Sequence, residues 1–122
     1  MKDKLIAVLE TLKYPVYLQG SLDPDKGYPE AFFTFWNSST PDRSHYDNMT
    51  IDWVWNFDVN FYATDPDLVN SVLWEAAEAL KEDGFIITSG KGYDLFSDEI
   101  THTGRGISVA IIERNEVNED AE

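Results

Sequence analysis

Hydrophobic and polar residues alternate from residue 51 to residue 64. Every second position, from Ile51 to Ala63, is hydrophobic or aromatic, and most of the positions between them are polar. Because successive side chains of a β-strand point to opposite faces of a sheet, this pattern predicts one long strand. One face should carry the Trp and Phe residues into the core, and the other, with Asp52 and Asp58, should face solvent.

Two other segments have the hydrophobic spacing of an amphipathic helix. In residues 3–13, and again between Asp65 and Gly84, apolar residues recur three and four positions apart and form one stripe. Asp3 and Asp65 are the predicted N-caps of the two helices. Gly84 is the predicted left-handed residue that ends the second helix.

The remaining hydrophobic runs are shorter and predict further extended segments. They are residues 16–18, 31–36, 85–88, 93–96 and 106–112. The polar residues 37–48 predict the longest loop of the chain. The order α-β-β-β-α-β-β favours an α+β fold, in which a single mixed or antiparallel sheet of about five strands packs against two helices.

Length and charge narrow the classes of protein that this chain can represent. Its 122 residues fit one domain, which we assign to residues 1–112, and the acidic residues 113–122 predict a disordered tail. The 23 acidic and 9 basic residues give a formal net charge of −14. Such a surface should repel nucleic acid and anionic membranes, because phosphate binding needs clustered Lys and Arg.

No apolar run is long enough to span a bilayer, so we expect a cytosolic protein without membrane contact.

The residue types that perform most catalysis are few and scattered. The chain has no cysteine, and His45 and His102 lack the spacing of a zinc site or a catalytic triad. The run Gly90-Lys91-Gly92 lacks the spacing of a phosphate-binding loop. Neighbouring carboxylates arise by chance in a chain this acidic. We therefore predict no enzyme, no catalytic residues, no cofactor and no metal site.

Three segments have a distinctive sequence. Residues 27–37 read GYPEAFFTFWN, residues 60–63 at the end of the long strand read NFYA, and residues 90–105 contain KGYD and THTGR. Over residues 14–112, this combination resembles the small prophage proteins of Gram-positive bacteria that terminate phage tails or join heads to tails.

The resemblance implies a structural virion protein that forms a ring of subunits, commonly six, at the head-proximal end of a long tail. The implied partners are further copies of the chain, the tail-tube protein and head-completion proteins. The implied locations are the host bacterial cytoplasm during assembly and then the virion. An alternative from another class is an acidic inhibitor that mimics DNA and blocks a nucleic-acid enzyme, since the charge of −14 suits such a protein.

Seven residues are candidates for roles in such an assembly. The predicted subunit contacts are Trp36, Pro41, His45, Tyr62 and Arg105. Exposed aromatic residues on a sheet often mark an interface, which favours Trp36 and Tyr62. Arg105 should pair with a carboxylate, either within the subunit or across an interface. Asp52 and Asp58 are the predicted channel-facing residues, because carboxylates would repel DNA that slides through a ring.

Overall fold

The computed structural model describes residues 1–19, 21, 28–46, 49–95 and 101–114, with no account of the side chains of residues 42–46 and 49–51. Within these ranges the chain forms two helices and a mixed sheet, which confirms the predicted α+β class. The elements are α1 (Lys2–Glu10), β1 (Val16–Leu18), β2 (Ala31–Ser39), β3 (Asp42–Tyr46), β4 (Met49–Ala63), α2 (Pro66–Glu82), β5 (Ile86–Ile87), β6 (Tyr93–Leu95) and β7 (Thr103–Arg114).

The sheet is built around β4 and β7, its two longest strands. They pair antiparallel from Asp52–Arg114 at one end to Ala63–Thr103 at the other. The second edge of β4 pairs with β2 and β3, and the second edge of β7 pairs with β5 and β6. β1 joins the outer edge of β2 in the parallel direction, which makes the sheet mixed.

Both helices pack on one face of this sheet and enclose the hydrophobic core. In β4, Phe57, Val59 and Phe61 are completely buried, as the alternating pattern predicts. Trp55 is only partly buried, at the margin of the core. The core residues that surround the β4 side chains come from α1, β2, α2 and β7: Leu5, Val8, Leu9, Phe33, Val69, Val72, Leu73, Ala76, Leu80, Ile107 and Val109.

The second helix has the ends that its sequence predicts. Asp65 Oδ1 accepts a hydrogen bond from the backbone N–H of Asp67 at 3.0 Å, and Pro66 opens the helix. Gly84 follows the helix with a φ of +98°. The cap and the left-handed terminus match the predictions, and proline suits the first helical position because that position needs no N–H.

The first helix is shorter than predicted at one end and begins earlier at the other. Its N-cap is Met1, so Asp3 lies inside the first turn, where its charge faces the positive end of the helix dipole. The helix ends at Glu10, because the N–H groups of Thr11 and Leu12 bond to carbonyls only three residues back. The chain thus tightens into turns before it reaches Pro15.

Most of the predicted loop at residues 37–48 is strand, which corrects that prediction. Residues 31–46 and 49–63 form one long hairpin that is interrupted near Pro41. Proline has no N–H for the ladder, so the break falls there, although the Pro41 carbonyl still accepts a bond from Val54 N–H at 3.0 Å. Residues 47–48 lie outside the described part of the chain.

β7 is longer than the predicted strand at both ends. It continues to Arg114, so Glu113 and Arg114 belong to the sheet and not to the predicted disordered tail at 113–122. Glu113 Oε1 accepts a hydrogen bond from Trp55 Nε1 at 2.9 Å, which fixes this end of the strand. The rest of that segment, residues 115–122, lies outside the described residues.

Candidate interaction surfaces

The second face of the sheet is the one that lies opposite the helices. The register places Asp52, Asp58 and Asn60 on it, as predicted, but this face is not uniformly wet. Asp52 and Asn60 are each only 5% exposed. The prediction that Asp52 faces solvent was therefore wrong. Asp52 is flanked on both sides, by Ser44 of β3 and Arg114 of β7, and therefore occupies an interior position of the sheet.

Asn60 is buried because of the residue that lies opposite it. Its partner on β7 is Gly106, and a methyl group at that glycine would meet Asn60 Oδ1 at 2.5 Å. The carboxamide therefore occupies the space that a side chain would fill. Asn60 Nδ2 donates to Thr34 Oγ1 at 3.3 Å and to Gln19 Oε1 at 3.4 Å, which ties β4 to β2 and to the end of β1.

Asp58 is half-buried and holds a small hydrogen-bond network. Its Oδ1 accepts from Ser108 Oγ at 3.0 Å and from the Tyr93 hydroxyl at 3.5 Å. The backbone N–H of Ser108 donates to Ser89 Oγ at 2.9 Å. Asp58 therefore links β4 with β6 and β7 inside the subunit, and its role as a channel-facing residue stays a prediction.

Burial of the Tyr93 ring raises the pKa of its hydroxyl above the ordinary value of 10.0. The hydrogen bond with Ser108 opposes this shift, while the negative charge of Asp58 and the hydrogen bond to it reinforce the shift. The folded protein therefore holds the Tyr93 proton more tightly than the unfolded chain does.

The free energy of unfolding should consequently depend on the ionisation of Tyr93 at high pH. Well below pH 10 the hydroxyl is protonated in both the folded and the unfolded state, and its contribution to the free energy of unfolding is complete. That contribution is lost as the pH rises through the raised pKa of the folded state. We expect urea unfolding between about pH 8 and about pH 11 to show a steeper loss of stability in the wild type than in Tyr93→Phe. Identical pH dependence in the two proteins would show that the Tyr93 environment is not as described.

Tyr62 belongs to an aromatic cluster at one end of the second face. Its ring stacks on Phe32 with centroids 5.4 Å apart, and Phe32 also contacts the edges of Tyr17 and His102. Phe32 is 3% exposed and Tyr62 is half-buried. Much of the Tyr62 ring is thus used in packing within the subunit.

His102 is fixed by two hydrogen bonds beside this cluster. Its Nε2 lies 2.8 Å from the carbonyl oxygen of Pro29, which can only accept, so Nε2 carries the proton. Nδ1 then accepts from Thr101 Oγ1 at 3.1 Å. The imidazole joins the segment before β2 to the segment before β7.

The opposite end of the second face carries exposed apolar side chains. Ile86 is 56% exposed and Ile112 is 36% exposed. Ile86 pairs with Ala110, and Ile112 pairs with Val54, so these four residues form an apolar strip across β5, β7 and β4. We call the strip, Val54, Ile86, Ala110 and Ile112, the open-face patch. Trp36, at 49% exposed, lies on the same face on β2.

A different surface surrounds Trp74 of α2, on the side of the helix that faces β7 and the turn before β6. Trp74 is 44% exposed and borders two adjoining depressions of about 390 and about 510 Å³. The first is lined by Asn70, Leu73, Trp74, Lys91, Arg105 and Ile107. The second shares Trp74 and Lys91 and is also lined by Lys81, Phe85, Ile86, Ile87 and Gly90, so it borders the open-face patch at Ile86. We call the two depressions together the Trp74 groove.

Three of the nine basic residues of the chain flank the Trp74 groove. Lys81 Nζ lies 5.3 Å from the centroid of the Trp74 ring and 3.5 Å from Glu78 Oε1. Arg105 Nη1 lies 2.6 Å from Asp94 Oδ1, which confirms that Arg105 pairs with a carboxylate, here within the subunit. Lys91 forms no ion pair with any residue in the described ranges.

The five predicted contact residues do not form one surface. Trp36 and Tyr62 lie on the second face, and Arg105 lies on the helix side of the sheet. Pro41 is exposed at the break between β2 and β3. His45 is in β3, where its backbone pairs with Thr50, and its side chain lies outside the description.

Sequence reasoning missed the Trp74 groove, although one signal for it was present. Trp74 lies off the apolar stripe of α2, and a large aromatic residue at such a position is directed away from the core. Trp74 lies near Lys91 and Arg105 because of the way α2 packs against the strands. A local sequence pattern does not contain that information.

No known family model matches this chain, and no curated protein sequence is significantly similar to it. In the described ranges, no helix is long and apolar enough to cross a membrane. The same residues contain no group of three or more His, Asp or Glu that could hold a metal ion.

Proposed function

We propose that this protein is a structural subunit that assembles with copies of itself into a ring, as a virion component of the tail-terminator or head–tail joining type. The open-face patch carries the proposal. Its isoleucines are two of the five large hydrophobic side chains that are exposed in the described part of the chain. Exposed apolar side chains that are grouped on one face, as these are on either side of the buried Ala110, often mark interaction sites. The ring and the virion come from the sequence resemblance of residues 14–112.

A ring requires two different contact surfaces on every subunit, because each copy meets one neighbour on one side and another on the opposite side. The first depression of the Trp74 groove lies on the helix side of the sheet, and the Val54–Ile112 end of the open-face patch lies on the other side, so these two surfaces suit a head-to-tail arrangement. Burying one isoleucine fully would contribute about 1.5–3 kcal/mol. The tail-tube and head-completion proteins are the proposed neighbours at the two rims of the ring.

We expect Ile112→Asp to weaken self-association by at least about ten-fold, because a charge in an apolar contact costs 1.4 kcal/mol or more. Leu18→Asp is the matched control, since Leu18 is 42% exposed but lies on β1, away from the open-face patch. Sedimentation velocity over a concentration series measures both variants against the wild type, and circular dichroism checks that each remains folded.

Unchanged association of Ile112→Asp would remove the open-face patch from the interface. A wild-type protein that stays monomeric throughout the series, and binds a nucleic-acid enzyme instead, would favour the acidic inhibitor.

A further inference from the structure

We propose that the Trp74 groove binds the acidic segment 115–122 of a neighbouring copy of the chain. The inference rests on the proposed function, because the ring supplies the neighbour. Besides the open-face patch, it gives the subunits a second contact, at the Trp74 groove. It also assigns a role to a segment that lies outside the described residues.

The groove combines an apolar floor with positive charge. The exposed face of Trp74 provides most of the apolar surface, and the buried Leu73 and Ile107 lie at its base. Lys81, Lys91 and Arg105 supply three positive charges, of which two are partly offset by Glu78 and Asp94. Lys91 has no such partner in the described chain, so an acidic ligand would give it one.

The segment 115–122 has the complementary chemistry. Its sequence, NEVNEDAE, carries four carboxylates, at Glu116, Glu119, Asp120 and Glu122, and no basic residue. Val117 places one branched apolar side chain among them. A short acidic peptide with a single branched apolar residue therefore matches both properties of the groove.

At the Arg105 end of the groove, geometry favours a neighbouring copy over the same chain. Arg105 and Arg114 lie nine positions apart on β7, which corresponds to roughly 30 Å at about 3.3 Å per residue. Eight residues that start after Arg114 span at most about 26–29 Å when fully extended. The segment of the same chain would have to be completely straight to approach Arg105, although it could reach the other end of the groove, where Ile86 pairs with Ala110. The segment of a neighbour has no such constraint.

The overall charge of −14 does not prevent this contact. At physiological ionic strength, exposed charges more than about 8 Å apart are largely screened. The charges next to the groove therefore determine whether an acidic segment is attracted to it. They include a third of the basic residues of the chain. A contact of this type should weaken as salt is added.

The absence of native cysteine permits a direct cross-linking test with the full chain. One sample carries Asn70→Cys in the groove, and a second carries Asp120→Cys in the acidic segment. The two samples are mixed and oxidised with copper phenanthroline, and the mixed disulfide dimer is measured by mass spectrometry. Ser71→Cys replaces Asn70→Cys as the control, since Ser71 is exposed but lies about 100° further around α2.

We expect several-fold more mixed dimer with Asn70→Cys than with Ser71→Cys, and a several-fold loss when Lys91→Glu is added. Lys4→Glu, an exposed charge reversal on α1, should leave the yield unchanged. Equal yields at Asn70 and Ser71 overturn the inference. So does a chain carrying both Asn70→Cys and Asp120→Cys that closes on itself while the mixed samples do not cross-link.

Sedimentation of the same wild-type preparation separates the two proposals. Associated protein without selective cross-linking would overturn the groove contact and leave the ring subunit in place. Monomeric protein without cross-linking would overturn both.

Discussion

Replacing Gly92 with alanine should destabilise the protein by about 2–5 kcal/mol, whereas replacing Gly90 should cost only about 1 kcal/mol. Both glycines have positive φ angles, +95° at Gly92 and +65° at Gly90, so each substitution strains the backbone. They differ in the space available. A Cβ at Gly92 would collide with the backbone carbonyl of Gly106, while a Cβ at Gly90 has no atom within 4 Å.

Chemical denaturation of the two variants, analysed with a common slope, measures this difference. The comparison is well matched, because both residues belong to the turn between β5 and β6 and neither carries a side chain. A larger loss in Gly92→Ala would confirm the tight packing of this turn on β7. Equal losses in the two variants would mean that β6 does not lie against Gly106 as described.

The second large effect concerns the centre of the core. Phe57→Ala should cost about 3–5 kcal/mol, since the ring is 0% exposed on the longest strand and leaves a cavity when it is removed. Small domains are stable by only about 5–15 kcal/mol, so this variant should be close to unfolding.

Trp36→Ala is the control for Phe57→Ala. It removes an even larger ring from a side chain that is 49% exposed, and we expect a change of about 0.5 kcal/mol. Thermal unfolding followed by near-ultraviolet circular dichroism distinguishes the two cases. A loss at Trp36 as large as that at Phe57 would indicate that the two faces of the sheet had been assigned wrongly.

The sequence predicted the elements whose determinants are local. The alternation in β4 identified Phe57, Val59 and Phe61 as buried, and the cap at Asp65 with the glycine at 84 fixed the ends of α2. In these places neighbouring residues carry enough information, because strand periodicity and helix capping act over a few positions.

The features that were missed depend on residues far apart in the chain. The polar residues of β3 form a strand because β4 offers a paired edge, and polar composition alone favoured a loop. Asn60 is buried because its partner across the sheet is Gly106. The Trp74 groove combines residues of α2 with Lys91 and Arg105, whose proximity arises only when the helix packs on the sheet.

The proposed function requires that the protein closes into a ring of its own copies. Negative-stain electron microscopy of the purified protein, at concentrations where sedimentation shows association, tests this claim most directly. We expect closed rings with a uniform number of subunits, and the sequence resemblance implies that this number is commonly six. Particles of monomer size alone, or open chains of variable length without closure, would contradict it.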